Sequence, residues 1–133
     1  MISLEDAVSL VWTALEDMQG GEIYVKKTPS INIIDIAKAI APNSSIEIIG
    51  IRPGEKMHEQ MISVEDAPHT YSYDGYFKIL PAINNWSSDK KRIRNGTPVP
   101  ESFIYTSDEN DDWMSVKQLQ SWLKQNQNFI GNI

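Results

Sequence analysis

The segment Ile46-Glu47-Ile48-Ile49-Gly50-Ile51 runs directly into Arg52-Pro53-Gly54-Glu55-Lys56-Met57-His58-Glu59, and this junction constrains the fold more than any other stretch. A β-branched apolar run bounded by Gly and Pro reads as a strand over Ser45 to Ile51. Pro53 has no N–H to donate and a fixed φ, so the strand must stop there. Glu55 to Ile62 then reads as two helical turns, with Met57 and Met61 at i and i+4 packing into the core. The chemistry of the junction suits a diphosphate and the sugar beside it. Arg52 offers a planar fork of donors, and Gly54 lets backbone approach a ligand closely. The free N–H groups of the short helix would add positive potential. Glu55 can accept hydrogen bonds from ribose or sugar hydroxyls. Lys56 is either a second phosphate contact or a solvated helix residue. The plainer alternative for Arg52 is a surface arginine paired with a nearby carboxylate.

Around this junction the pattern is that of an α/β fold. Ser3 is placed to cap a helix from about Leu4 to Met18, whose Leu4, Ala7, Val8, Val11, Leu15 and Met18 form an apolar stripe opposite acidic residues. Gly20-Gly21 stops it. Glu22 to Lys26 reads as a strand, and Asn32 as the cap of a helix from about Ile33 to Ala41, ended by Pro42. Strand, helix and strand in this order suggest a right-handed crossover joining parallel strands, with the Arg52 loop at the ligand edge of the sheet. Thr70 to Tyr73 and Tyr76 to Leu80 flank Asp74-Gly75, a two-residue hairpin signal. Pro81 to Pro100 reads as a long mobile loop carrying the basic group Lys90-Lys91-Arg92-Arg94. A last helix starts at Ser115 with Gln118 completing a capping box, and buries Val116, Leu119, Trp122 and Leu123. The tail after Gln125 should fray. The expected fold is therefore a small, mainly parallel sheet with flanking helices, a β-hairpin and a C-terminal helix, in a single domain over residues 1–133.

At 133 residues the chain is too short for a dinucleotide-binding domain plus a substrate domain. It has no apolar run long enough to span a membrane and no basic-then-apolar leader. The absence of cysteine removes disulfides and thiolate metal sites and fits a cytoplasmic location. A net charge of −6 disfavours nucleic acid as a partner. His58 and His69 lie on separate segments without metal-ligand spacing. The Asp108-Glu109-Asn110-Asp111-Asp112 run imitates the start of a calcium loop. It fails where Trp113 replaces the turn glycine and Leu119 the terminal glutamate, so a solvated acidic loop is favoured. The basic group near Trp86 suits a solvated loop better than a phosphate or nucleic-acid patch.

Several stretches together resemble one family. They are Ile2-Ser3-Leu4-Glu5-Asp6-Ala7-Val8, Gly21 to Ser30, Ile34 to Pro42, Gly50 to Glu59 and Tyr105 to Asp111. In this order they are similar to the C-terminal part of the bacterial inverting UDP-N-acetylglucosamine 4,6-dehydratases, extended short-chain dehydrogenase/reductases of polysaccharide and surface-sugar biosynthesis. The resemblance implies that Arg52 contacts the diphosphate of a UDP-sugar and Glu55 its ribose. In the intact enzymes it implies that bound NADP takes a hydride from C4 of the sugar. Water then leaves across C5 and C6, and the hydride returns to C6 with inversion at C5.

Two family signatures are missing. The glycine-rich NADP turn that follows a first strand is absent, since Gly20-Gly21 precedes a strand. The Tyr-x-x-x-Lys pair is absent too: Tyr24 is followed by Lys26 and Lys27, and Phe77 stands four places after Tyr73. The chain thus reads as a nucleotide-sugar-binding portion without catalytic residues, with Arg52, Gly54, Glu55 and Lys56 as its substrate site. It is expected to bind no cofactor itself, NADP belonging to a Rossmann half that a separate chain could supply. Tyr105, Ser107 and Asn110 match a family stretch without an assigned contact. The other reading is an interaction or self-association module that has lost ligand binding, in a natural, split or shortened chain.

Overall fold

The computed structural model describes residues 2–83 and 86–126. It is mixed α/β and divides into two compact units, each assembled from separated stretches of chain. Among the described residues, the first comprises Pro29–Glu59 and those from Ser107 onward, and the second Ile2–Thr28 and those within Gln60–Thr106.

The second unit holds helix α1 (Leu4–Asp17), the strands β1 (Ile23–Lys26), β2 (Gln60–Ile62), β3 (Thr70–Ser72) and β4 (Tyr76–Ile79), the short helix α3 (Lys90–Ile93), and strands β5 (Thr97–Pro98) and β6 (Tyr105–Thr106). Asp74-Gly75 closes the β3–β4 hairpin as expected, with Gly75 at φ 75° and the Tyr73 N–H donating to the Tyr76 carbonyl at 2.9 Å. The sheet order is β1-β4-β3-β5, and every neighbouring pair is antiparallel. A second antiparallel pair joins β2 to β6. The expected mainly parallel sheet is therefore not formed. A hairpin strand, β4, occupies the place beside β1 that the crossover strand was to take.

Strand β4 is buried on both faces, which follows from the period-2 alternation of its side chains. Phe77 and Ile79 point into the core with Ile62 and Tyr105, against Val25, Val99 and Phe103. On the opposite face Lys78 is only 1% exposed. Its ammonium donates to Asp17 Oδ2 at 2.6 Å and to the Arg92 carbonyl, and lies over the Tyr73 ring at 4.9 Å. Asp17 also accepts from the Tyr24 hydroxyl at 2.7 Å and pairs with Arg94 at 2.9 Å. Burial alone would raise the Asp17 carboxyl. The hydrogen bonds from Lys78 and Tyr24 and the charges of Lys78 and Arg94 outweigh it and hold the group below the usual carboxylate range.

This anchor sets the rotation of α1. Its half-buried line runs through Ala7, Leu10, Ala14 and Asp17. Apart from Ala7, the apolar stripe read from the sequence instead faces outward: Leu4 is 66% exposed, and Val8, Val11, Leu15 and Met18 are exposed too, as is Trp12 at 62%. The stretch 81–100, expected as a loop, contains a 3-10 turn (Trp86–Ser88), α3 and β5. Nor is its basic group simply solvated. Arg92 is buried, ion-paired with Glu22 and stacked 3.8 Å from the Trp86 ring.

The first unit contains α2 (Ile33–Ile40) packed against α4 (Val116–Gln125), with Leu119 fully buried. Asn32 caps α2 through the Ile34 N–H, and Ser115 with Gln118 forms the expected capping box on α4. Val116, Trp122 and Leu123 are half-buried. The expected strand over Ser45–Ile51 is not present, because a strand is stabilised by a neighbour's hydrogen bonds and this segment carries no ladder. Ile46, Ile48, Ile49 and Ile51 are exposed. The expected helix over Glu55–Ile62 is also absent: Gln60–Ile62 is strand β2, Met57 is 85% exposed and Met61 is exposed too. The expected fraying after Gln125 falls at 127–133, outside the described residues.

Lys78→Ala should lower stability by about 3–5 kcal/mol in chemical denaturation, since it strips a buried carboxylate of its closest partner. The depressed Asp17 group contributes fully above its unfolded value near 3.9, and that contribution is lost as pH falls through the lower folded value. The denaturation midpoint is therefore expected to fall below about pH 4, with a shallower slope in Asp17→Asn.

Candidate functional site

Of the residues singled out from sequence, Arg52, Gly54 and Glu55 lie on one turn of the first unit and Lys56 follows it directly. Pro53 and Gly54 occupy the two corners between Arg52 and Glu55, with Gly54 at φ 87°. The Glu55 N–H donates to the Arg52 carbonyl at 3.0 Å. Pro then Gly at the corners, with this hydrogen bond and a positive φ at the second, is the signature of a type II turn. A side chain at Gly54 would meet no neighbouring atom, so the requirement there is conformational. Since no helix follows the turn, the expected contribution of helix N–H groups is withdrawn.

Both charged ends of the turn are open to solvent, Arg52 being 70% and Glu55 49% exposed. Glu55 Oε2 accepts from the Arg52 backbone N–H at 2.8 Å, and Glu55 Oε1 lies 3.9 Å from Arg52 Nε. The plain pairing of Arg52 with a carboxylate is thus the geometry on display. An exposed pair of this kind is worth only about 0–1 kcal/mol, so a phosphate can exchange for the carboxylate at little cost. Lys56 points to solvent and reaches Glu59 at 3.8 Å. The turn and the residue after it thus display one guanidinium, one ammonium and one carboxylate to solvent.

Sequence reasoning missed what holds the downstream side of this turn. The Ser107 N–H donates to the Glu59 carbonyl at 2.8 Å, and the Glu59 N–H donates to Ser107 Oγ at 2.9 Å. His58 Nδ1 stands 3.3 Å from Asp108 Oδ2. The acidic run is a loop with its carboxylates exposed, as expected, and it is also tied to Ser30. The Ser30 N–H donates to the Asp112 carbonyl, the Met114 N–H to the Ser30 carbonyl, both at 2.8 Å, and Asn110 Nδ2 to Ser30 Oγ at 3.1 Å. Of the three residues left without a contact, Tyr105 proves to be core, its hydroxyl exchanging hydrogen bonds with the Thr28 backbone.

A tyrosine and a lysine do converge in the second unit, Tyr24 and Lys78 on Asp17. Burial and the Asp17 hydrogen bond push the Tyr24 phenol upward. Both side chains are engaged by the same carboxylate, which also anchors α1 to the sheet. Gly20 and Gly21 lie between α1 and β1, so they do not provide the strand–glycine–helix geometry that cradles a dinucleotide phosphate. Among the described residues no cluster of three His, Asp or Glu could hold a metal, and no helix is long and apolar enough to cross a membrane.

Gly54→Ala should open the turn at a cost of about 1–2 kcal/mol, accelerating Glu55 amide exchange roughly 5–30-fold while the rest of the fold persists. Nuclear magnetic resonance hydrogen exchange would register it.

Comparison with known proteins finds relatives along most of the chain. The chain is 44% identical over 133 residues to the UDP-N-acetylglucosamine 4,6-dehydratase (inverting) of Campylobacter jejuni, a match covering 96% of this chain and 40% of that enzyme. It is 37% identical over 83 residues to the UDP-glucose 4-epimerase of Rickettsia typhi, covering 59% of this chain and 24% of the epimerase. The X-ray structure of Pen from Bacillus thuringiensis superposes with a TM-score of 0.79 at 25% identity, over 96% of this chain and 38% of that one. The chain therefore spans about 40% of the length of the curated dehydratases it matches. The family model described as polysaccharide biosynthesis protein matches residues 1–81, a stretch that carries the Arg52–Glu55 turn, and the chain belongs to that family.

Proposed function

We propose that this chain is the nucleotide-sugar-binding portion of a 4,6-dehydratase-like polysaccharide biosynthesis protein, acting in the cytoplasm. Arg52 grips the diphosphate of a UDP-sugar such as UDP-N-acetylglucosamine, Gly54 brings backbone close to it, Glu55 receives the ribose hydroxyls, and Lys56 adds a second cation. Hydride transfer and dehydration belong to an NADP-binding half that this chain's own residues do not provide. The observation that carries the reading is the exposed Arg52–Pro53–Gly54–Glu55 turn, which sets a guanidinium and a carboxylate side by side with only a weak mutual pairing to displace. Similarity to a UDP-N-acetylglucosamine dehydratase and a UDP-glucose epimerase supports the choice of ligand class.

A second reading, an interaction module that self-associates, is favoured by the outward apolar stripe of α1. Sedimentation that is monomeric at every concentration would remove it.

Titration with UDP and UDP-N-acetylglucosamine, followed by calorimetry, tests the first reading. Saturable binding near millimolar, about 4 kcal/mol, is expected, and Arg52→Ala should weaken it by about ten-fold or more. Absence of binding, or binding indifferent to Arg52→Ala, overturns the assignment.

A further inference from the structure

We propose that Ser107, aided by Asp108, is the positioning residue of the Arg52–Glu55 turn. The assignment of a ligand to that turn rests on the nucleotide-sugar reading above, while the positioning itself rests on geometry alone. From Pro42 to Glu59 the chain forms neither helix nor strand. A segment without a ladder keeps its conformational entropy unless something outside it fixes its ends. At its downstream end, residues 58 and 59 are held by three contacts to consecutive residues. The Glu59 N–H and carbonyl are both satisfied by Ser107, through its Oγ at 2.9 Å and its own N–H at 2.8 Å. His58 Nδ1 reaches Asp108 Oδ2 at 3.3 Å.

What fixes Ser107 is rigid in turn. The stretch after it is bracketed on Ser30, which is buried, through Asp112, Met114 and Asn110. It then enters α4 through the Ser115–Gln118 capping box, and α4 is seated by the fully buried Leu119. Rigidity thus passes from a packed helix to Ser107, from Ser107 to Glu59, and from Glu59 back to the turn. The distance is short. Glu55 lies four residues before Glu59, and chain extends at most about 3.5 Å per residue, so fixing Glu59 confines Glu55 within roughly 14 Å. A carboxylate and guanidinium held in a restricted volume lose less entropy on binding a ligand than freely moving ones do.

The test uses the whole chain and two readouts. Backbone ¹⁵N relaxation at Gly54, Glu55 and Lys56 reports the order of the turn without any ligand. Ser107→Ala removes the acceptor for the Glu59 N–H, and order parameters at these amides are expected to fall from about 0.85 toward 0.6. UDP affinity should drop about five-fold, the worth of one hydrogen bond. Ser107→Thr keeps the hydroxyl and should restore both, which loss of folding would not do. Asp108→Ala should give a smaller change in the same direction. Unchanged order at Gly54–Lys56 in Ser107→Ala overturns the proposal. Loosened amides in a chain that binds no UDP support the positioning and refute the nucleotide-sugar reading, so the two fail separately.

Discussion

The ion pair between Lys78 and Asp17 decides the arrangement of the larger unit. A lysine in the middle of a central strand, 1% exposed, is tolerable only if its charge is met, because an unpaired buried ammonium costs several kcal/mol. Asp17 meets it from the last residue of α1, while the Arg92 carbonyl meets it from α3. Tyr24 from β1 and Arg94 after α3 complete the carboxylate's shell. One charge on β4 thereby ties down three neighbouring stretches, α1, β1 and the end of α3. Such pairs are weak evidence for added stability relative to an apolar core, but they permit few alternative packings.

That constraint has a consequence at the surface. To bring Asp17 onto Lys78, α1 must present Ala7, Leu10 and Ala14 to the sheet, and its larger apolar residues then face outward. The isoleucines before Arg52 are similarly exposed in the other unit. Both stretches carry the composition of buried elements, and both lie in a chain that spans about 40% of its curated dehydratase relatives.

The candidate site follows a different economy. Its side chains are exposed, weakly paired and set on a turn, so they are available to a ligand, and their order depends on residues far along the chain. Local chemistry is concentrated between Arg52 and Lys56, and mechanical support is delegated to Ser107, 48 residues beyond the Glu59 it clasps.

Local rules were enough for the parts of the fold whose determinants are neighbours in sequence. The caps at Ser3, Asn32 and Ser115 and the Asp74-Gly75 hairpin all satisfy hydrogen-bonding or φ requirements within a few residues, and each lies where its sequence places it. The family was legible for the same reason, since its motifs are short and ordered. Pairing between distant segments was not. An apolar run such as Ile46–Ile51 has the composition of a strand, but a strand exists only beside a partner, and β1 found the hairpin strand β4 instead. Likewise the outward face of α1 and the clasp of Ser107 on Glu59 depend on which residues meet across long stretches of chain. The sequence alone determined the capped helices, the hairpin and the cluster of charged residues after Ile51. Tertiary structure decided strand partners, the rotation of α1 and the support of the turn, because charge burial and ladder hydrogen bonding are properties of pairs that composition cannot specify.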